Sequence, residues 1–334
     1  MHHIEIENLS KHFKVFARRE GVLGSLQDLF HRDYSTLKAV DDISLKISPG
    51  EVVGYIGANG AGKSTSIKMM TGILNPSSGS MNILGFDPAR QRKEYTRHIG
   101  VVFGQRTQLW WDIAVVESFK LLAKIYGVQE QEYKQRLDIL IEILGLKDLL
   151  RTPVRKLSLG QRMRCDLAAS LLHQPKVLFL DEPTIGLDAV AKHNVRAFLR
   201  KVNEDFGTTI ILTTHDMAEI EELCERIVII DHGKIIYDGA LNDIKSLPGT
   251  GRRLSIDLAQ DPPVDELNRI FKDKAAFQPE GERRVVSNFD PHLVSSLDLL
   301  QEITSRYQVV DFSVSEPSIE EVVMKIYQGG VKTA

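Results

Sequence analysis

The feature that most constrains this chain is a glycine-rich loop placed between an apolar run and a helix-like run. The loop and the residues after it read Gly57-Ala58-Asn59-Gly60-Ala61-Gly62-Lys63-Ser64-Thr65. Glycines leave the loop backbone bare, so successive N–H groups at the start of a helix can converge on phosphate oxygens. The order of strand, loop and helix therefore predicts a phosphate-binding site in an α/β fold.

Three side chains at the end of this loop supply chemistry that bare amides lack. Lys63 can reach the β- and γ-phosphates of a nucleotide as a point charge, and the Ser64 hydroxyl can ligate Mg²⁺. Thr65 can add a second hydroxyl beside it. An ordinary glycine-rich turn is the alternative, which the position between a strand and a helix disfavours.

Composition and charge bound the class of protein. With 334 residues, of which 43% are hydrophobic, the chain is long enough for two domains with buried cores. The formal net charge is −3. A strongly basic domain is the usual electrostatic footprint of nucleic-acid binding, so we expect no nucleic-acid partner.

The sequence also indicates a cellular compartment. Cys165 and Cys224 are the only cysteines, and both lie in apolar helical patterns, which excludes a disulfide framework and favours a reducing cytosol. The N-terminus lacks the apolar core of a secretory signal, and no run reaches the roughly 18 consecutive apolar residues of a membrane span. We therefore expect any membrane association to depend on a partner.

Two adjacent acids follow the apolar run 177–180, which is typical of a buried parallel strand. Asp181 and Glu182 then lie at the carboxyl end of that strand, where open α/β sheets place their ligand chemistry. Asp181 suits Mg²⁺, usually through water, and Glu182 is placed to accept a proton from an attacking water. A solvated turn is the alternative interpretation of this pair.

Two other apolar runs end in candidate residues for the same sheet edge. The run 209–214 ends at His215, which can hydrogen-bond a γ-phosphate, although a lone histidine is more often structural. The run 99–103 ends just before Gln105, which can ligate Mg²⁺ or orient the attacking water. A single glutamine at a strand end is, on its own, only weak support for such a role of Gln105.

A second anion site is predicted at Ser158, as the N-cap of a helical run that extends to position 173. Its hydroxyl and the N–H groups after it can bind phosphate oxygens. Both phosphate sites could serve one nucleotide only if a loop doubled back. Otherwise the second site faces a nucleotide held by another copy of the chain.

Aromatic residues near both motifs have two interpretations each. Phe13 ends a predicted turn at 9–13, about fifty positions before the phosphate loop, and is a candidate to stack an adenine, with Phe16 next. A core role is the alternative. Trp110 and Trp111 lie in a loop after Gln105, where paired tryptophans favour a docking surface over a core position.

The remaining segments predict the domain organisation. A nucleotide-binding domain covers 1–247, with an insertion at 14–35 and a helical subdomain at 115–173. The insertion is amphipathic, and it either packs on its own domain or contacts a membrane surface or membrane partner. An accessory α+β domain covers 252–334 and has no glycine-rich loop or metal-spaced cluster. Its predicted elements are strands over 254–258, 284–288 and 309–314 and helices over 264–271, 293–306 and 318–327.

In this order and spacing, the motifs resemble the nucleotide-binding subunit of ABC transporters over roughly residues 4–245. The resemblance implies a P-loop NTPase cassette, with a RecA-like core, an antiparallel β subdomain and a helical subdomain, and it implies ATP and Mg²⁺ as ligands. The implied nucleotide-binding residues are Phe13, Asn59, Gly60, Ala61, Gly62, Lys63, Ser64, Thr65, Ser158, Gly160, Gln161 and Asp188. The implied Mg²⁺ ligands are Ser64, Gln105 and Asp181, and the implied catalytic residues are Glu182, His215, Lys63 and Gln105.

Within the resemblance, these residues belong to named motifs. They are the Walker A loop around Lys63, the Q-loop at Gln105, the signature at 158–161, Walker B at Asp181 and Glu182, the D-loop at Asp188 and the switch at His215. Two positions depart from the family pattern. Leu159 replaces one of the two glycines of the usual LSGGQ, and Ile185 stands where many members have a serine that hydrogen-bonds across the dimer.

Finer features resemble ABC-2-type exporters of the daunorubicin-resistance kind. They are the single cassette, the 14–35 insertion and the segment 316–321, and the LSLGQ variant with the long insertion is most similar to the viologen-exporter branch. The resemblance implies a homodimer that closes around two ATP molecules and drives two separate membrane permease subunits. It implies a location at the cytoplasmic face of the membrane and a drug-like, hydrophobic or cationic cargo. The alternatives are an ABC ATPase without a transport role and a nucleotide-gated regulatory module.

Overall fold

The fold is taken from a computed structural model of the chain, which describes residues 2–16, 34–104, 106–245, 247 and 250–328. The chain divides into two compact units, Met1–Asp238 and Gly239–Ala334. The predicted domain limits at 247 and 252 stay a prediction. Among the described residues, no helix is both long enough and apolar enough to cross a membrane.

The elements follow one another in an alternating α/β order. The first part of the chain contains β1 (Ile4–Phe16), β2 (Tyr34–Ile47), β3 (Val52–Gly57), α1 (Lys63–Met70), β4 (Ser78–Ile83), α2 (Arg92–Tyr95), β5 (Ile99–Phe103), α3 (Val115–Tyr126), α4 (Glu130–Leu144), α5 (Leu159–Leu171), β6 (Val177–Asp181), α6 (Ala189–Phe206), β7 (Thr209–Thr213), α7 (Met217–Leu223), β8 (Arg226–Asp231) and β9 (Lys234–Ala240). The rest contains α8 (Leu241–Ile244), β10 (Arg252–Leu258), α9 (Val264–Phe271), β11 (Ala275–Pro279), β12 (Arg284–Phe289), α10 (Ser296–Arg306), β13 (Val309–Ser315) and α11 (Ile319–Tyr327).

The main sheet of the first unit has the strand order β5-β6-β7-β3-β8-β9. The pairs β5–β6, β6–β7, β3–β7 and β3–β8 are parallel. Every residue of β7 is buried, and so are the first four of β6, because a parallel sheet is covered on both faces. The pairing aligns Phe103, Asp181 and Thr213 in one row, so three strand ends that carry predicted site residues meet at one edge.

A second, antiparallel sheet has the order β2-β1-β4. Alternating apolar residues of β1 and β2, such as Ile4, Ile6 and Leu45, are buried in the core of the first unit. The turn predicted at 9–13 is wrong, because β1 continues through it to Phe16 with register shifts between Ile6 and His12. Such bulges add unpaired residues and break the two-residue alternation by which a strand is recognised in a sequence.

The segment 115–173 contains three helices of eight or more residues, and their grouping into a subdomain stays a prediction. Helices α3 and α4 end at Gly127 and Gly145, and both glycines adopt the left-handed conformation that closes a helix. Helix α5 begins directly after Ser158. The predicted insertion at 14–35 lies mostly outside the described residues, although both of its ends, 14–16 and 34–35, belong to β1 and β2.

The second unit contains an antiparallel sheet of order β11-β12-β10-β13 with a βαββαβ chain path. One face of this sheet packs against the helices α9 and α10. Strand β11 was not predicted, because Ala275–Pro279 is short and contains only one residue type favoured in strands. Helix α10 begins three residues later than predicted, since the Ser295 hydroxyl caps it by accepting the Asp298 N–H at 3.0 Å.

Candidate nucleotide-binding site

The phosphate loop connects the end of β3 to the start of α1, as the sequence predicts. Gly62 precedes the helix at φ 111°, and a Cβ at this position would collide with the Ala39 carbonyl oxygen, so only glycine fits there. The first turn of α1 contains no acidic residue. Its free N–H groups and the positive end of the helix dipole therefore favour an anion.

The Lys63 ammonium lies within this loop rather than in solvent. Its Nζ donates to the carbonyl oxygens of Gly57 at 2.5 Å and Ala58 at 3.1 Å. Burial lowers the pKa of Lys63, and the carboxylates of Glu182 and Asp181 oppose this shift. The lysine is thus held by the loop itself, close to the two acids.

The outer part of the loop is accessible. Asn59 and Gly60 are exposed, whereas Ala61 is buried. The Ala61 carbonyl accepts the Gly233 N–H at 2.9 Å, which fixes the base of the loop to the turn between β8 and β9. Ser64 is exposed and Thr65 is half-buried at the start of α1. The predicted phosphate ligands therefore face solvent on a rigid base.

A cavity of about 260 Å³ joins the phosphate helix to the predicted acids. It is lined by Ser64, Lys68, Ile73, Phe103, Gly104, Arg106, Asp181 and Glu182. The structure thus brings Ser64 together with Asp181 and Glu182, which lie more than a hundred positions further along the chain. Sequence reasoning missed Lys68 and Arg106, because neither belongs to a motif, although Lys68 lies one helical turn after Ser64 and Arg106 directly follows Gln105.

Asp181 ends β6 and is held from both sides. The Thr213 hydroxyl donates to Asp181 Oδ1 at 2.5 Å, and the Gly104 N–H donates to the Asp181 carbonyl at 2.7 Å. Thr213 was not predicted as a site residue, although its place in the strand before His215 could have indicated it. The Asp181 side chain, held in this way, lines the cavity together with Ser64.

Glu182 and His215 form a pair at the neighbouring position. The Glu182 Oε1 atom lies 3.0 Å from His215 Nε2, and the Glu182 N–H donates to the Thr213 carbonyl at 2.9 Å. Glu182 has a positive φ of 55°, a conformation that is uncommon for a non-glycine residue. Strained backbone of this kind is concentrated at functional sites, where the surrounding structure holds it in place.

The signature residues form the capped start of α5. The Gln161 N–H donates to Ser158 Oγ at 3.2 Å, and the Ser158 N–H donates to Gln161 Oε1 at 3.0 Å, which completes a capping box. Within the described part of the chain, the lining of the cavity includes none of Ser158, Gly160 and Gln161. The N-cap prediction for Ser158 is therefore confirmed, and its proposed contact to a nucleotide stays a prediction.

The unusual Leu159 is exposed to solvent in part and contacts the turn after Walker B. A Cβ at Gly186 would collide with the Leu159 side chain. A Cβ at Gly160 would lie 2.8 Å from Leu187 Cδ2. The start of α5 and the turn that leads to α6 therefore lie in contact through Leu159 and Leu187, and a side chain at Gly186 or Gly160 would displace these leucines.

The remaining predicted residues have local roles or lie outside the described residues. Asp188 is the N-cap of α6, since its Oδ1 accepts the Ala191 N–H at 2.8 Å. Phe13 is half-buried in β1, with Lys11 Nζ 5.3 Å from the centre of its ring. Gln105 lies outside the described residues, and the Phe16 side chain is not described either. Their nucleotide contacts stay predictions.

Asp166 on α5 is a further polar residue that the sequence did not indicate. Its Oδ1 accepts the Thr107 hydroxyl at 2.8 Å and the Gln108 N–H at 3.0 Å, which fixes the segment after Gln105 to the signature helix. Burial raises the pKa of the Asp166 carboxyl to about 6, against the lowering effect of these two hydrogen bonds.

Comparisons with known proteins agree with this arrangement. A family model described as ABC transporter matches residues 40–185. The ABC transporter ATP-binding protein NatA of Bacillus subtilis is 36% identical over 215 residues, which are 64% of this chain and 87% of NatA. The linearmycin resistance ATP-binding protein LnrL of the same species is 30% identical over 304 residues, 88% of this chain and 94% of LnrL. The methionine import ATP-binding protein MetN 2 of Enterococcus faecalis is 30% identical over 288 residues, 85% of this chain and 82% of MetN 2.

Solved structures show the same fold. The ATP-binding subunit of an ABC transporter superposes with a TM-score of 0.62 and 27% identity, over 72% of this chain and 91% of that one. The dimeric structure of MJ0796, a bacterial ABC transporter cassette, superposes with a TM-score of 0.59 and 25% identity, over 71% of this chain and 98% of that one. The chain belongs to the ATP-binding subunits of ABC transporters, and it is an ATPase of the P-loop cassette fold.

The raised pKa of Asp166 predicts a specific pH dependence of stability. The folded carboxyl holds its proton up to pH about 6, whereas its ordinary value is 3.8. Folding therefore binds a proton in this window, and the contribution of Asp166 to the free energy of unfolding rises as the pH falls from about 7 to about 4. We expect wild type to gain up to about 3 kcal/mol relative to Asp166→Asn across this range.

Denaturant unfolding of both chains at several pH values measures this difference. The comparison with Asp166→Asn cancels the other titrating groups, and Asp138→Asn is the exposed control, expected to show no such trend. A constant difference between wild type and Asp166→Asn from pH 4 to pH 7 would contradict the assignment.

Proposed function

We propose that this chain hydrolyses ATP to drive a transporter whose membrane-spanning permease subunits are separate chains. The observation that carries the proposal is the cavity shared by Ser64, Asp181 and Glu182, with His215 within 3.0 Å of Glu182. A hydroxyl, two carboxylates and an imidazole are the groups that phosphoryl transfer to water requires beside a phosphate loop.

The residues present fit a magnesium–nucleotide complex. Mg²⁺ prefers oxygen ligands and keeps several waters and substrate phosphates in its coordination shell. The Ser64 hydroxyl and the Asp181 carboxylate line one cavity and would hold it, together with Gln105 as a further proposed ligand. When bound, Mg²⁺ would neutralise charge on the β- and γ-phosphates.

The hydrolysis step is in-line attack of water on the γ-phosphate. Glu182 accepts the proton of the attacking water, and His215 fixes the orientation of the Glu182 carboxylate through their contact at 3.0 Å. Lys63 and His215 stabilise the charge on the transferred phosphoryl group. The loop amides of 59–65 bind the phosphates, and Phe13 stacks the adenine.

A second copy of the chain completes each site. Ser158 and Leu159 are exposed, and Ser158 caps a 13-residue helix, so the positive end of α5 is presented to solvent. This anion site lies outside the residues that line the cavity, which supports contact with ATP held by the partner copy. The dimeric structure of MJ0796 supports the same assembly. Asp188 and Gln161 belong to this dimer interface, and both sites of the homodimer are competent because Glu182 is present.

The permease subunits dock on the surface that follows Gln105. Trp110 and Trp111 are exposed, and the Arg162 guanidinium lies 5.5 Å from the centre of the Trp111 ring. Exposed tryptophans with an arginine are characteristic of interface cores. Through Asp166, this segment is bonded to the signature helix, so ATP-driven closure of the dimer can move the docked subunits. The chain would thus act at the cytoplasmic face of the membrane.

Export is the direction that we propose, through ABC-2-type permeases of the daunorubicin-resistance kind. The relative LnrL is named for linearmycin resistance and matches 88% of this chain, which supports export of a drug-like, hydrophobic or cationic compound. The relative MetN 2 is named for import and matches 85%, so import is the second candidate. The LSLGQ variant around Leu159 supports the viologen-exporter branch among the exporters.

Replacing Glu182 by Gln tests the proposed base. The amide cannot accept the proton, and we expect the rate of ATP hydrolysis to fall by about 10²–10⁴ while ATP binding is retained. Phosphate release and the binding of a fluorescent ATP analogue measure the two effects. The control is Glu204→Gln on the exposed face of α6. Undiminished hydrolysis in Glu182→Gln would refute the assignment.

Mixing two inactive variants tests whether the sites are shared between copies. Ser158→Arg keeps the phosphate loop intact but blocks the signature residues, whereas Lys63→Ala damages the phosphate loop and keeps the signature residues intact. A homodimer of either variant is therefore expected to be inactive. A mixed dimer contains one intact site, and mixing should restore hydrolysis. If the mixture is as inactive as either variant, ATP is bound within single copies.

The transporter assignment is tested by isolating the chain from detergent-solubilised membranes. Wild type is expected to retain membrane subunits with several predicted spans. Trp111→Ala should lose them because it removes a proposed interface anchor. Trp111→Phe, which keeps the aromatic surface, should retain them. Isolation without any membrane subunit would favour the ATPase without a transport role.

A further inference from the structure

The second unit contains an edge strand whose apolar side chains are not covered. Strand β13 is at one end of its sheet, so no other strand of the described residues pairs with its outer edge. Val310, Phe312 and Val314 are 68%, 52% and 38% exposed. Alternate residues of a regular strand point to the same face, so Phe312 and Val314 form an apolar strip. Val310 is exposed next to them, at the bulge where the pairing of β13 with β10 shifts by one residue.

The strip is a continuation of the core of the second unit. In the pairing with β10, Phe312 lies opposite Ile256 and Val314 lies opposite Leu254. Residues that lie opposite each other share a face of the sheet. Ile256 and Leu254 are fully buried under the helices, yet their neighbours in β13 are not. The apolar face of the sheet therefore extends beyond the helices that cover it.

The opposite edge of the same sheet differs. Strand β11 has five residues and ends at Pro279, which has no N–H to donate to another strand. Two of its apolar residues, Ala275 and Phe277, are buried, and the exposed Ala276 has only a methyl side chain. Natural sheets protect their edges with short strands and prolines in this way. Of the two edges, β13 alone combines exposed apolar side chains with a full-length strand.

The backbone of β13 can accept another strand. The Phe312 N–H donates to Asp311 Oδ1 of its own strand at 2.8 Å, and a second strand would take the place of this carboxylate. Because backbone groups alternate in direction along an antiparallel strand, those of Phe312 and Val314 face the open edge. These two residues thus offer their side chains and their backbone groups to a partner.

We propose that β13 pairs with β13 of a second copy of this chain, antiparallel, about a twofold axis at Phe312. In this register Phe312 lies opposite Phe312 of the second copy, and Val310 lies opposite Val314. Asp311 lies opposite Ser313 on the other face, so like charges are kept apart. The two four-stranded sheets become one continuous sheet.

Other registers are less favourable for the same residues. If the register between the two β13 strands shifts by one residue, the apolar side chains of one copy lie opposite the polar residues of the other copy. An axis at Asp311 places two carboxylates opposite each other, which is destabilising. An axis at Ser313 places Val310 opposite Glu316. The strip is therefore complementary to itself in one register, which argues for a second copy over an unrelated partner.

Disulfide formation in the full-length chain tests this pairing without nucleotide. In Phe312→Cys, the two Cα atoms at the axis would lie about 5.5 Å apart, within the range of a disulfide. We expect a covalent dimer after mild oxidation. The controls are wild type, whose Cys165 and Cys224 are buried, and Leu297→Cys, which is 61% exposed on α10 of the same unit.

Three results would overturn the proposal. The first is equal dimer yields from Phe312→Cys and Leu297→Cys. The second is faster cross-linking of Ser313→Cys than of Phe312→Cys, which indicates the other register. The third is a Phe312→Cys chain that stays monomeric but loses maleimide reactivity when membrane subunits are bound, which assigns the strip to those subunits.

A charge at the axis gives an independent measurement. Phe312→Arg is expected to raise the dissociation constant of the nucleotide-free dimer, measured by analytical sedimentation, about tenfold or more. The substitution removes the contact between two aromatic rings and places two positively charged arginines opposite each other. Leu297→Arg is the control, and thermal unfolding reports on the fold of both. Unchanged sedimentation of Phe312→Arg would contradict the pairing. The mixing of Ser158→Arg with Lys63→Ala measures the ATP-dependent dimer separately, so failure of one interface is distinguishable from failure of the other.

Discussion

The parallel register of β5, β6 and β7 is the constraint on which the site depends. It aligns Phe103, Asp181 and Thr213 in one row, and the hydroxyl of Thr213 then reaches Asp181 at 2.5 Å. With a register shifted by one residue, Asp181 would point to the other face of the sheet. The buried apolar strands fix this register, so the packing of the core determines where the acids lie relative to the phosphate loop.

The two ends of the cavity are positioned by different means. Lys63 and Ser64 begin a helix whose loop allows only glycine at position 62. Asp181 and Glu182 end a strand and are held by backbone bonds to the neighbouring strands. Because both elements are anchored in the same sheet, a phosphate bound at the helix and a water near Glu182 share one fixed frame, as catalysis by positioning requires.

Much of the site could be predicted from the sequence because each motif is local. A strand followed by Gly57–Lys63, or by Asp181 and Glu182, contains its own signals of strand, turn and helix. Asp166 could not be predicted, since it contacts the segment after Gln105 only through long-range packing. Lys68 and Arg106 lie close in sequence to predicted residues, but neither belongs to a motif that would single it out. The bulged part of β1 was misread as a turn, and β11 was missed, because their stability comes from pairing with other strands rather than from their own residues.

The contact between Leu159 and Gly186 has a mechanical consequence for a transport cycle. The Leu159 side chain at the start of the signature helix lies against Gly186, in the turn that leads to Asp188. Close-packed groups move together, since a gap would forfeit their contacts and an overlap is forbidden. A leucine in place of the usual glycine would therefore make the signature and the D-loop of one copy rotate as a single rigid body when the nucleotide departs.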